Sequence, residues 1–185
     1  MTTRSGSALF AMAAHAAVGQ KRKYTGEPYH THPAAVRAIL EQYVPDATEA
    51  MLQAADLHDV IEDTQVPLEM IWDVFGSDVA YYVDGLTAKS KPEDGNRAER
   101  KAMDLIDIAK TCPETKTIKL ADLIHNSESI LAGDANFAKV YMKEKRLLLD
   151  FALKEGDTLL WNWADVIVTE YEQGILQRKL EKMGE

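Results

Sequence analysis

The sequence predicts an all-α domain. Apolar residues recur at helical spacing along nearly the whole chain, Ala, Leu, Met, Glu and Lys are plentiful, and no run of alternating β-branched residues is long enough for a sheet. At 185 residues the chain has the size of one domain able to bury a core without disulfides or structural zinc. One unit spanning 1–185, with about eight to ten helices, is therefore expected.

A first helix covers about 7–18 and stops near Gly19, a residue suited to leaving the helical ladder. Gln20 to Thr31 carries Lys21, Arg22, Lys23, Gly26 and Pro28 and reads as a basic loop. Pro33 fits the first turn of a second helix, which continues through AAVRAIL. Asp46 followed by Glu49 resembles a capping arrangement for a third helix running through MLQAADLHDVIED. A short helix spans Pro67 to Phe75, closed by Gly76, and another covers about 77–89. The stretch KSKPEDGN, 89–96, combines charge, Pro and Gly and reads as a loop. Helices at about 97–111, 115–132, 136–155 and 158–182 complete the chain, with Gly133 and Gly156 at two joints.

Composition excludes several functions. Hydrophobic residues make up 46% and charged residues 28%, a globular balance that argues against long disordered tracts. A formal net charge of −9 would repel a nucleic-acid backbone, so no nucleic-acid partner is expected. A nucleotide would meet the same repulsion and would need a local basic cluster and a bound cation. Cys112, the sole cysteine, excludes an intramolecular disulfide and a Cys-based zinc cluster, and reads as a small buried apolar residue in a reducing compartment. The apolar run near the start is interrupted by His15 and lacks a clear cleavage signature, and no run approaches the length of a membrane span. The expectation is a cytoplasmic protein with no membrane partner.

Chemistry concentrates in three segments. LHDVIED, 57–63, places four ionisable residues among apolar ones. On one helix His58 and Glu62 would be four apart, as would Asp59 and Asp63, which stacks two candidate metal ligands beside two candidate acid–base carboxylates. KLADLIHN, 119–126, again spaces Asp122 and Asn126 by four. In PYHTHP, 28–33, His32 precedes a proline that fixes its position at a helix start. Two imidazoles and two carboxylates form a mixed nitrogen and oxygen set suited to Mn²⁺, Fe²⁺ or Zn²⁺ more than to Mg²⁺ or Ca²⁺. His30 and His125 adjoin these motifs but are left outside the ligand set, since a helix turns His125 about 100° from Asn126. His15, among alanines, reads as a packed or surface residue. Trp72, Trp161 and Trp163 read as core or interface aromatics. Trp161 and Trp163, two apart, cannot both face inward on one helix, which suggests a subunit contact and a homo-oligomer.

The ordered set His32, His58-Asp59, Glu62-Asp63 and Asp122 resembles the HD superfamily of metal-dependent phosphohydrolases. GEPYHTHPAAV, AADLHDVIEDT and KLADLIHN together are similar to the hydrolase domain of RelA/SpoT-type enzymes and to stand-alone small alarmone hydrolases, over about residues 9–155. The resemblance implies a helical HD-domain fold around one metal ion, usually Mn²⁺, held by His32, His58, Asp59 and Asp122. It implies that Glu62 and Asp63 orient or activate water and that Asn126 lines a nucleotide site. By the same resemblance Arg22 or Lys23, in a loop one residue longer than the commoner version, and Arg97 would hold phosphate, while Tyr141 would lie beside the base. The activity implied is hydrolysis of the 3′-pyrophosphate of ppGpp or pppGpp to GDP or GTP plus pyrophosphate, without the synthetase and regulatory domains of full-length members. Alternatives are an HD phosphohydrolase acting on (p)ppApp, NADPH or a deoxynucleotide monophosphate, and a helical interaction protein with a vestigial site.

Overall fold

The computed structural model describes residues 5–184, with side chains through 175. Among them lie ten α-helices: α1 (Gly6–Ala17), α2 (Thr31–Tyr43), α3 (Glu49–Leu57), α4 (Val60–Asp63), α5 (Leu68–Phe75), α6 (Ser77–Leu86), α7 (Arg97–Ala109), α8 (Pro113–Gly133), α9 (Ala135–Phe151) and α10 (Thr158–Gly184). The expected loop at 89–96 contains one 3-10 turn, Pro92–Asp94. Among the described residues no strand forms, and the β pairing is one isolated bridge between Lys21 and Pro28.

α8 is the axis of the domain. It packs against α2, α3, α6, α9 and α10. A helix covered on so many sides has no solvent face to keep polar, so buried residues occur all round it, including Ile118, Leu120, Leu123 and Ile124. Pro113 starts this helix, where its missing N–H costs nothing, two residues earlier than the pattern suggested. At its far end Gly133 is required by close approach: a Cβ there would stand 2.5 Å from the Tyr24 side chain. The basic loop is thereby pinned against the end of α8.

Several boundaries differ from the sequence expectation. The third helix does not run unbroken from 46 to 63 but leaves the helical ladder at His58 and Asp59, resuming as α4. Thr48, not Asp46, caps α3, its hydroxyl accepting from the Met51 amide. α2 begins at Thr31, so Pro33 lies inside the first turn. α6 ends at Leu86, because Thr87 turns extended, and α9 ends at Phe151, where the chain bends toward α10.

The tryptophans also sort differently. Trp161 donates its indole N–H to the Leu149 carbonyl on α9, while Trp163 packs edge-on against Tyr43 on α2, ring centres 5.2 Å apart. Both meet the domain because α10 lies between two neighbours, which removes the argument that one must face a second subunit. Trp72 is 56% exposed and is not a core residue. Cys112 is half-buried at the start of α8, its sulfur 3.3 Å from the Thr115 hydroxyl.

Lys145, only 1% exposed between α8 and α9, donates to Ser127 Oγ at 2.7 Å and the Leu123 carbonyl at 3.4 Å. Burial lowers its pKa to about 7. Above that value the unfolded chain still holds a proton the folded chain has released, so stability should rise with pH from neutrality into the ordinary lysine range. Lys145→Met is expected to flatten this rise, by at most about 1.4 kcal/mol per pH unit, in urea titrations at several pH values from neutral upward.

Candidate metal centre and adjoining basic surface

Three segments far apart in sequence converge on one point beside α8. His32 comes from the first turn of α2, His58 and Asp59 from the break between α3 and α4, and Asp122 from the middle of α8. His58 Nε2 lies 3.0 Å from Asp59 Oδ2, 3.2 Å from His32 Nε2 and 3.7 Å from Asp122 Oδ1. His32 Nε2 lies 3.1 Å from Asp122 Oδ1 and 3.5 Å from Asp59 Oδ2. The tightest group is His32, His58 and Asp59, whose candidate ligand atoms all fall within 4.8 Å of one another, and Asp122 joins it through both imidazoles.

The donor chemistry suits a divalent cation. His58 Nδ1 faces the Ala55 carbonyl at 2.8 Å, which can only accept, so Nδ1 carries a proton and in the neutral ring the Nε2 lone pair points at the cluster. His32 Nδ1 is 2.7 Å from His125 Nδ1, and the two rings stack with centres 4.9 Å apart. Burial, with His32 next to it, lowers the His125 pKa to about 4, so His125 is a neutral partner that can fix the His32 tautomer. The two carboxylates favour positive charge between them. Burial opposes a charge on His58, yet Asp59 and Asp122 outweigh it and raise its pKa well above the ordinary value. At His32 burial, with the charge of His58 adding to it, outweighs the aspartates and lowers the pKa.

A second ring of side chains holds the carboxylates. Tyr29 donates its hydroxyl to Asp59 Oδ2 at 2.7 Å, and burial together with the Asp59 charge raises its pKa far above the phenol range, keeping it a donor. Lys119 donates to Asp122 Oδ2 at 2.7 Å, and Asn126 donates to Asp122 Oδ1 at 2.6 Å. Glu62 and Asp63 stand on α4, one turn beyond the break. Glu62 accepts from the Ala88 amide at 2.6 Å, and burial raises its pKa despite that bond. Asp63 accepts from Gln20 at 2.8 Å.

The basic residues occupy the neighbouring wall. Gly26, at φ 73°, closes a tight turn in which the Arg22 and Glu27 main chains pair, and this aims Arg22 back at α8. There Arg22 donates to Asn126 Oδ1 at 2.9 Å and Ser129 Oγ at 3.0 Å. Lys23 turns instead over the Tyr24 and Phe137 rings, 5.0 and 5.6 Å from their centres. Of the two, Arg22 is thus the one beside Asn126. Arg97 sits 5.2 Å over Phe137 and is gripped by both carboxylate oxygens of Glu144 at 2.8 Å. Tyr141 contacts Phe137, ring centres 6.2 Å apart, and donates to the Leu123 carbonyl at 3.4 Å. All eleven residues singled out by sequence fall on these two adjoining surfaces. Gln20, Tyr29, Lys119 and His125 belong with them but gave no signal of their own, because each acts through a residue from another segment. Only the PY in PYHTHP and the K and H in KLADLIHN marked three of them, as neighbours of motif residues.

An all-α fold with two histidines and two aspartates gathered at a helix break defines the class, and the chain belongs to the HD domain family, whose model matches residues 8–141. A probable guanosine-3′,5′-bis(diphosphate) 3′-pyrophosphohydrolase of Synechocystis sp. is 38% identical over 125 residues, covering 65% of this chain and 16% of that protein. A GTP pyrophosphokinase of Streptomyces coelicolor is 41% identical over 113 residues, 60% of this chain and 13% of that protein. The chain therefore spans less than a fifth of the length of these curated relatives. The solved structure of a metazoan ortholog of SpoT that hydrolyzes ppGpp is similar with a TM-score of 0.79 at 27% identity, covering 92% of this chain and 98% of that one. Among the described residues no helix is long and apolar enough to cross a membrane.

Proposed function

We propose that this chain is a cytoplasmic, metal-dependent pyrophosphohydrolase that removes the 3′-pyrophosphate of ppGpp and pppGpp. The observation that carries the reading is the meeting of two imidazole Nε2 atoms and two carboxylates beside a wall bearing Arg22, Lys23 and Arg97. The activities named for the Synechocystis and metazoan relatives point the same way.

A divalent cation, Mn²⁺ in this reading, would be held by His32, His58, Asp59 and Asp122 and would supply Lewis acidity toward the phosphoryl group and a more acidic water. Ala55 and His125 fix the ring orientations of the two histidines, while Tyr29 and Lys119 hold the two aspartates. Glu62, its pKa raised by burial, takes a proton from water, and Asp63 orients that water. The water oxygen bonds to the phosphorus on the ribose 3′ oxygen. The bond from that phosphorus to the ribose oxygen breaks, the ribose oxygen ends protonated, and pyrophosphate leaves intact. Arg22, Lys23 and Arg97 offset the charge of a polyphosphate approaching a chain at −9. Arg97 would exchange part of its Glu144 pairing for phosphate, and Phe137 and Tyr141 would offer ring faces to the base.

The test is anion-exchange analysis of products from ppGpp, ppApp, NADPH and a deoxynucleotide monophosphate with added Mn²⁺. GDP and pyrophosphate appearing together from ppGpp is the expected result. Orthophosphate as the first product, or preference for one of the other substrates, would move the chain to a different phosphohydrolase activity.

A further inference from the structure

The HD family resemblance covers the metal ligands and the acidic pair, but not what fixes the geometry of Asp63. His15 is 1% exposed on the inner side of α1, and its Nδ1 lies 2.6 Å from Gln20 Oε1. Gln20 in turn donates its amide Nε2 to Asp63 Oδ2 at 2.8 Å, across 43 residues of sequence. The direction of this chain follows from chemistry. A carboxylate accepts, so the Gln20 amide must turn its NH₂ toward Asp63, which leaves Oε1 to accept from His15. His15 must then carry its proton on Nδ1. Its other nitrogen, Nε2, is buried and has no hydrogen-bond partner, as expected of a ring serving one directed bond.

The backbone reinforces the same three residues. The Gln20 amide donates to the His15 carbonyl at 3.1 Å, closing the end of α1, and the Gln20 carbonyl accepts from Tyr29 at 3.3 Å. The His15 ring also lies against the ring of Tyr29, centres 4.7 Å apart, and the Tyr29 hydroxyl donates to Asp59. Gln20 is therefore located by His15 through both main chain and side chain. Without His15 the amide could rotate its oxygen toward Asp63, setting like partial charges face to face.

We infer that His15 and Gln20 are positioning residues for the reaction, a one-way hydrogen-bond relay that holds Asp63 in its working orientation. This rests on the hydrolase reading above. Gln20→Leu, which keeps the bulk and removes the donor, should lower kcat for ppGpp about 10- to 100-fold, with KM and Mn²⁺ affinity by calorimetry within about twofold of wild type. His15→Leu should share that loss. His15→Asn, whose amide N–H takes nearly the place of Nδ1–H, should recover most of it. The double replacement by Leu should be no worse than Gln20→Leu, because His15 acts through Gln20.

Wild-type kcat in Gln20→Leu, or a parallel fall in Mn²⁺ affinity, would overturn the relay. So would His15→Asn behaving like His15→Leu, or like Gln20→Leu should His15→Leu not fold. The side-chain amide signals of Gln20 in ¹⁵N spectra of the protein without added metal give a readout independent of substrate. Assigned by their loss in Gln20→Leu, they should shift in Asp63→Ala and stay close to wild type in His15→Asn. Signals unmoved in Asp63→Ala would overturn the relay even if ppGpp is cleaved. Shifted signals in a protein that leaves ppGpp intact would uphold the relay and refute the substrate.

Discussion

His58→Ala and Asp59→Ala are each expected to lose both the bound cation and activity, with kcat/KM for ppGpp lower by about 10³-fold or more. The two residues occupy the break between α3 and α4, with His58 Nε2 3.0 Å from Asp59 Oδ2. His58 Nε2 is within 3.7 Å of all three other candidate ligand groups, so its removal takes away an atom that faces every one of them. Loss of His58 also leaves Asp59 and Asp122 close together without the imidazole that their charge favours protonating. The apoprotein should therefore bind Mn²⁺ more weakly by calorimetry while remaining helical by circular dichroism. A His58→Ala protein that retains stoichiometric Mn²⁺ and wild-type turnover would refute the ligand assignment.

Glu62→Gln is expected to separate the metal from the chemistry. The substitution keeps an oxygen able to accept from the Ala88 amide, so α4 and the loop after α6 should stay joined. It removes the carboxylate whose pKa burial raises and which would accept the proton of the attacking water. Removing a general base lowers rates by about 10²- to 10⁴-fold, and the fall should be in kcat, with Mn²⁺ stoichiometry and affinity unchanged. Loss of metal with normal turnover in the fraction still loaded would assign Glu62 to the cation instead.

Helical periodicity made the all-α fold legible nearly throughout, and the main failure was informative. LHDVIED keeps its apolar spacing across 58–59 and contains neither Gly nor Pro, so nothing local marks a break. The break comes from tertiary packing, with Leu57 and Val60 fully buried on either side while His58 turns its ring to the Ala55 carbonyl. The ligand-type residues were legible because they cluster in motifs. Gln20, Tyr29, Lys119 and His125 were not, because their value lies in partners brought near only by folding. His125 shows this most plainly: the helical rotation that separates it from Asn126 is what stacks it on His32.

The position of α8 gives the site an uneven resistance to local opening. Its amides are enclosed by five neighbouring helices, so the Asp122 side should come apart only when the whole domain unfolds. The 20–28 turn that presents Arg22 has no helix of its own and is secured by one isolated bridge, a few main-chain bonds, the contact of Tyr24 with Gly133 and side-chain bonds from Gln20 and Arg22, so it should open before α8 does. A ligand grasped by both halves ties the weakly held segment to the strongly held one. Occupancy then raises the free energy of opening of the turn toward that of α8, and the domain becomes more nearly a single cooperative unit while substrate is bound.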